Sequence, residues 1–440
     1  MTTHGANPSP PVRLRAAALT FTDLPDPATG WGYRHIEDAV LSFADGRIEF
    51  LEPWDAYLAA GGTPDGVEHL PGALMLPGFI DAHIHAPQIN MMASYGRQLL
   101  DWLEQFTFPE EARYADEAYA AGAIDSFFHA LLAAGTTSAM VFGTVHAHTA
   151  RMLLDGALSR GMSLIAGKVM TDCHVPPALS ESLDAGVDAS ARLIADWHGR
   201  ARLRYAVTPR FALTSTDGHL AACARLLQSS PGLYLQTHLA ENRQEVARIA
   251  ELFPDALDYA DVYARHGLCT PRSVFAHGIH LGERELDVLA ASGSAIAFCP
   301  TSNLFLGSGL LDLARLRRHG VGVAVATDVG AGTSFSMLRT LAEGYKVLQL
   351  QEQSWHPLEA MHAITLGNAR ALGLAHEQGA LAPGLFADVV VLRPHATPDV
   401  SGRYAASRTL TEHLFGLMML GDERSVLRTY VAGREVHRQG

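Results

Sequence analysis

Eight short apolar runs separated by longer amphipathic stretches fill residues 74–327, and they narrowly limit what this chain can fold into. The runs cover residues 74–84, 136–142, 163–169, 203–207, 233–238, 274–277, 295–298 and 321–327. Mostly apolar runs of that length suit strands buried on both faces. Between them, residues 217–228, 243–253, 283–291 and 310–318 show the spacing of surface helices. Strands alternating with helices require parallel crossovers, so eight of them predict an α/β fold of the (β/α)8 barrel type. A doubly wound open sheet would more often carry a glycine-rich phosphate loop after its first strand, and none is present.

The flanks differ in character. Residues 13–20, 39–43 and 47–51 are short β-like pieces with turn residues between them, and residues 387–392 and 426–436 return to that pattern. A small β-sandwich domain built from both termini is therefore expected beside the barrel. The expected boundaries are a disordered leader at 1–11, an N-terminal β part at 12–72, the barrel at 73–375, and a C-terminal β part with a terminal helix at 376–440.

Composition excludes several classes of function. Hydrophobic residues make up 48% and charged residues 18%, which suits a large buried core. The formal net charge is −13 with no basic stripe, which argues against a nucleic-acid partner. No apolar stretch reaches the ~18 residues of a membrane span, and no basic start leads into an apolar core as in a signal peptide. Cys173, Cys223, Cys269 and Cys299 are scattered without paired spacing, so a disulfide framework is not expected and a reducing, cytoplasmic setting is.

Barrels of this kind place their chemistry at the C-terminal ends of the strands. Read in order, those ends supply His83 and His85, Lys168, Arg210, His238, His277 and Asp328. His83 and His85, two residues apart, share one face of a strand and can share one metal ion. With His238 and Asp328 they make a mononuclear set that leaves a position for water, and such a metal lowers the pKa of bound water to ~7. Glu241, three residues past His238, is placed to take a proton from that water and return it to a leaving nitrogen. His277 would orient the nucleophile rather than serve as a fifth ligand.

Other residues read more plainly. His146 and His148 form a second His-x-His, but past their strand's end, as loop residues. Lys168 would need carboxylation to bridge two metals, and structural hydrogen bonding suits it better. His35-Ile36-Glu37 matches half of a cysteine-liganded deaminase signature, yet no Cys-x-x-Cys exists in the chain.

Residues 77–88, Leu100-Asp101-Trp102-Leu103, Phe106-Thr107-Phe108-Pro109, Thr208-Pro209-Arg210-Phe211, His238 to Asn242, Phe298-Cys299-Pro300-Thr301-Ser302-Asn303 and Thr327-Asp328 resemble the amidohydrolase superfamily, and within it the guanine deaminases. The resemblance implies that His83, His85, His238 and Asp328 hold one zinc ion, a donor set that also accepts iron or manganese. It implies that Glu241 shuttles protons, with His277 and Asp328 aligning the attacking oxygen. It further implies that Gln88, Arg210 and Phe211 hold a purine, in a pocket to which Trp102 and His238 contribute, and that the protein is a homodimer. An arginine fork fits the adjacent O6 and N7 acceptors of guanine, whereas adenine presents a donor there. Deamination of another aminated heterocycle (8-oxoguanine, a pterin, ammeline) and hydrolysis of a cyclic amide remain open alternatives, as does an inactive scaffold of the same fold.

Overall fold

The structure is a computed structural model that describes residues 10–96 and 98–439. Of the expected leader, residues 1–9 lie outside the described residues. The chain divides into two compact units. One comprises Asp81–Leu131 and Ser138–Trp355; the other comprises the described residues of Met1–Ile80, Leu132–Thr137 and His356–Gly440.

The barrel strands are β1 (Phe79–His85), β2 (Thr136–Phe142), β3 (Ser163–Gly167), β4 (Leu203–Pro209), β5 (Tyr234–Leu239), β6 (Ser273–His277), β7 (Ala295–Phe298) and β8 (Gly322–Val325). They neighbour one another in sequence order, and the ladders from β2 to β8 are parallel. The run expected as one strand at 163–169 is split: Val169–Met170 is a separate two-residue strand that pairs with β4, and Lys168 lies between the two. The ring is drawn shut by backbone hydrogen bonds from β1 to the segment after β8. Asp328 N–H donates to the His83 carbonyl at 3.0 Å, and His85 N–H to the Val329 carbonyl at 2.8 Å. The Asp81 carboxylate adds to this seam by accepting from the Thr327 N–H at 3.1 Å and from its hydroxyl. Helices such as Asp217–Gln228, Arg243–Leu252 and Glu283–Ser292 fill the crossovers, with Thr216, Asn242 and Gly282 at their N-caps.

The second unit holds one seven-stranded sheet, in the order Arg434–Arg438, Val426–Val431, Val389–Leu392, Val67–Pro77, Val12–Asp26, Trp31–Ala44, Arg47–Pro53. Strands from both ends of the chain meet where Val67–Pro77 pairs antiparallel with Val389–Leu392. Alternate residues Leu14, Ala16 and Ala18 face the core with Ala39, Leu41 and Phe43 from the neighbouring strand. The helix expected at the C terminus lies earlier, as Pro398–Ala406 and Leu410–Leu420, and the last described element is a strand.

The run at 74–84 is likewise two strands. Its first half joins the terminal sheet and its second half opens the barrel, with Gly78 between them. A Cβ on Gly78 would lie 2.1 Å from the Thr137 hydroxyl oxygen, so the close approach of that residue requires glycine. An apolar run carries no mark of such a break, because both halves are buried.

Two glycines give a stability test with opposite signs. Gly122 sits exposed within helix Glu117–Ala133 with open space where a Cβ would go, and Gly122→Ala is expected to stabilise by ~1 kcal/mol. In β3, a Cβ on Gly167 would lie 1.8 Å from the Ala206 carbonyl oxygen of β4, so Gly167→Ala is expected to destabilise by ~2–3 kcal/mol. Denaturant unfolding of both variants checks the pair.

Candidate active site

His83 and His85 sit on one face of β1, buried, with their Nε2 atoms 3.1 Å apart. His238, the penultimate residue of β5, brings its Nε2 to 3.2 Å from that of His85. Asp328, just past β8, places Oδ1 3.3 Å from His83 Nε2 and 3.4 Å from His85 Nε2. The His238 Nδ1–H donates to the Arg210 carbonyl at 2.6 Å, so its Nε2 turns a lone pair toward the others. Burial lowers the pKa of His83, His85 and His238, and for His238 the neighbouring rings push the same way. Burial pushes Asp328 up, but the facing rings of His83 and His85 outweigh it and hold the carboxylate well below its usual range. The set is thus deprotonated, the form in which these groups bind metal. Ligands ~2.0–2.1 Å from a tetrahedral ion stand ~3.3 Å from one another, and the four separations here of 3.1–3.4 Å match that edge. His83, His85 and Asp328 form a group that could hold a metal ion, with His238 3.2 Å from His85.

The acid–base groups adjoin this set. After β5, Ala240 takes a left-handed conformation (φ 50°) and Glu241 follows in the loop, ahead of the Asn242 N-cap. The Glu245 carboxylate pins that loop by accepting from the Glu241 N–H at 2.9 Å and the Asn242 N–H at 3.1 Å. Burial, reinforced by the charge of Asp328, pushes Glu241 up to about 8, while the Ser308 hydroxyl donating at 3.1 Å acts against this. His277 ends β6 with φ 74°, and its Nε2 lies 3.4 Å from Glu241 and 3.8 Å from Asp328 Oδ2. Its Nδ1 meets Asn303 Oδ1 at 2.9 Å, which suits a ring proton on Nδ1.

A cleft opens beside these groups. Trp102 and Phe211 supply aromatic walls, and Gln88 and Arg210 supply polar ones. Trp102 is fixed by its indole N–H, which donates to the Ser94 carbonyl at 3.1 Å. Arg210 and Gln88 both bond the buried Glu111: Arg210 Nη1 donates to Oε2 at 2.6 Å and Gln88 Nε2 to Oε1 at 3.0 Å.

All of the site residues read from the sequence lie in this one unit, and His85, Gln88, Trp102, Arg210, Phe211, His238, Glu241, His277 and Asp328 line the same cleft, with His83 against His85. The remaining candidates lie elsewhere. His146 lies in the loop as expected, at the N-cap of the helix Ala147–Arg160, whereas His148 lies in the first turn of that helix. The Lys168 ammonium is taken up by Glu181 and by the Val169 carbonyl at 3.1 Å. His35 lies in the terminal sheet. Sequence reasoning missed Glu111, Asn303, Ser308 and Asp81. Asn303 and Asp81 lie inside stretches already singled out, two residues from His83 in the case of Asp81. Glu111 has no local mark, because beside Glu110 it looks like an acidic first turn of a helix.

Comparison with known proteins agrees with this geometry. Residues 74–436 match the Amidohydrolase family model. The chain is 46% identical over 406 residues to a guanine deaminase of Escherichia coli (strain K12), covering 92% of each. Among solved structures, E. coli guanine deaminase superposes with a TM-score of 0.94 at 44% identity, over 97% of this chain and 100% of that one. Guanine deaminase from Bradyrhizobium japonicum gives 0.93 at 33% identity, over 98% and 100%. With a family match that spans most of its length and a metal-ready His/Asp set at the ends of its barrel strands, the chain belongs to the amidohydrolase family of metal-dependent hydrolases, in the branch of the guanine deaminases.

Proposed function

We propose that the chain deaminates guanine hydrolytically, giving xanthine and ammonia, with one zinc ion held by His83, His85, His238 and Asp328. The observation that carries this reading is a single cleft with a deprotonated ligand set at one end and fixed donors, Arg210 and Gln88, at the other. A purine spanning it sets O6 and N7 against the donors and its C2 amine toward the acid–base groups.

A bound zinc ion supplies Lewis acidity that makes water a nucleophile near neutral pH. Glu241 takes the proton of the attacking water and delivers it to ring N3, while the oxygen bonds to C2. Asp328 and His277 orient that oxygen, and the Asn303 amide keeps the His277 ring in one tautomer. When the C2–amine bond breaks, the second proton of the water, passed through Glu241 or Asp328, leaves with the nitrogen as ammonia. A carboxyl group raised toward neutrality both takes and returns a proton at working pH, which is what two transfers through one residue require. Phe211 and Trp102 stack on the ring or exclude solvent, and His238 shares the cleft wall with Phe211, their ring centroids 6.2 Å apart.

The same reading includes a homodimer in the cytoplasm, with no nucleic-acid or membrane partner. In support, the four cysteines are free and the net charge is −13. Among the described residues no helix is long and apolar enough to cross a membrane.

Glu241→Gln should keep its zinc yet lose ~10²–10⁴-fold in kcat on guanine, the usual range for removing a general acid–base group. Xanthine formation measured beside metal analysis checks it, and full turnover would remove Glu241 from the mechanism. His238→Ala should lose metal and activity together. Chelation of the wild type should abolish turnover and added zinc restore it; a chelated enzyme, confirmed metal-free, that still works at full rate would defeat the reading.

A further inference from the structure

Glu111 is buried, 2% exposed, in the short helix Phe108–Ala112, and the chemistry proposed above gives it no part. It does not line the cleft among the described residues. Its two oxygens serve different partners, Oε2 the Arg210 guanidinium and Oε1 the Gln88 amide nitrogen. At the other end of the same amide, Gln88 Oε1 accepts from the Gly330 N–H at 3.2 Å.

A glutamine amide can turn over and exchange its oxygen and nitrogen unless its neighbours tell them apart. Here both neighbours do. A carboxylate paired with arginine only accepts, and a backbone N–H only donates. Turning Gln88 over would set oxygen against carboxylate and NH₂ against N–H, two repulsions in a buried place. The Gln88 oxygen is therefore committed to Gly330, and the polar group left for a ligand is its second N–H. Arg210 has only donors to offer. The polar wall of the cleft is thus made of donors alone.

We infer that Glu111 sets the substrate specificity of this site by locking Gln88 as a donor beside Arg210, so that the cleft takes a 6-oxopurine and rejects its 6-aminopurine counterpart. This rests on the guanine reading above and names the residue that enforces it. Glu111 is a positioning residue: it acts through Gln88 and Arg210. A donor-only wall satisfies the O6 and N7 acceptors of guanine. Against a 6-amino group it leaves donor facing donor in a buried place, the kind of mismatch that discriminates strongly. Glu111 also neutralises Arg210, so the wall favours an uncharged ring over an anion.

The test compares kcat/KM for guanine and for 2,6-diaminopurine, which differ in oxo against amino at position 6 and, with it, in N1–H against a bare N1, counting product deaminated at C2. The wild type should prefer guanine by at least ~10³-fold. Glu111→Gln should lower kcat/KM on guanine by ~10–100-fold, mainly through KM, and shrink the preference by at least ~10-fold, because an amide at 111 accommodates Gln88 in either orientation. Glu111→Asp, which keeps an acceptor-only carboxylate, should retain the preference. A Glu111→Gln variant that loses activity on both purines equally would mark a merely structural role and overturn the inference. A wild type that deaminates both equally would overturn it even if every variant folded poorly. Absence of any guanine turnover in the metal-loaded wild type would instead strike the functional reading on which the inference rests.

Discussion

Three imidazole nitrogens and a carboxylate oxygen stand in a buried place with four of their separations at 3.1–3.4 Å, a spacing that a shared cation would hold together. Burial keeps the histidines from taking up a second proton, and the His83 and His85 rings face the Asp328 carboxylate. The barrel's construction follows from keeping that set in place. The bonds from Asp328 N–H to the His83 carbonyl and from His85 N–H to the Val329 carbonyl tie His83, His85 and Asp328 into one backbone unit. His238 enters from the far side, and its ring is oriented by the carbonyl of Arg210, whose side chain faces the cleft. Arg210 thus touches the His/Asp set through its carbonyl and lines the cleft.

Strain gathers where these groups leave their strands. Ala240, His277 and Asp328 all adopt left-handed backbone (φ 50°, 74° and 53°) without being glycine. Such conformations cost roughly 1–3 kcal/mol each and persist only where surrounding contacts over-determine them. Those contacts are visible: Glu245 holds the loop after Ala240, Asn303 holds the His277 ring, and Asp81 with His83 holds Thr327 and Asp328. Local conformational stability is given up to aim side chains inward, and hydrogen bonds to neighbouring segments offset it.

The barrel was legible because its signal is periodic and long: eight apolar runs, of which 136–142 and 295–298 match their strands end to end. What the runs could not show is where one ends inside continuous apolarity. Gly78 and Lys168 mark those breaks, and only the approach of Thr137 and the pairing of Val169–Met170 with β4 give them meaning. The strand-end residues were legible for a related reason, since a polar group closing an apolar run is conspicuous. Six of the seven converge on one cleft or its ligands; Lys168 does not, because Glu181, 13 residues on, captures its ammonium. Residues that act at second hand left no such mark. Glu111 reads as a helix-favouring acid, and its partners lie 23 and 99 residues away.

The two ends of the cleft differ in hydrogen-bonding character, and on the proposed reading this, more than shape, would set its selectivity. At the metal end stand acceptors and a carboxyl group near neutrality, able to take and give protons. At the other stand donors whose orientation is fixed by groups with no alternative role. A flat heterocycle between Trp102 and Phe211 has few directional contacts through its faces, so its in-plane orientation is set by its edges. Only a ring with acceptors on one edge and an amine on the other satisfies both ends at once. Reversing such a ring would put its amine against donors and its oxygen against acceptors, so the polarity of the cleft selects the ring and also fixes which carbon meets the nucleophile.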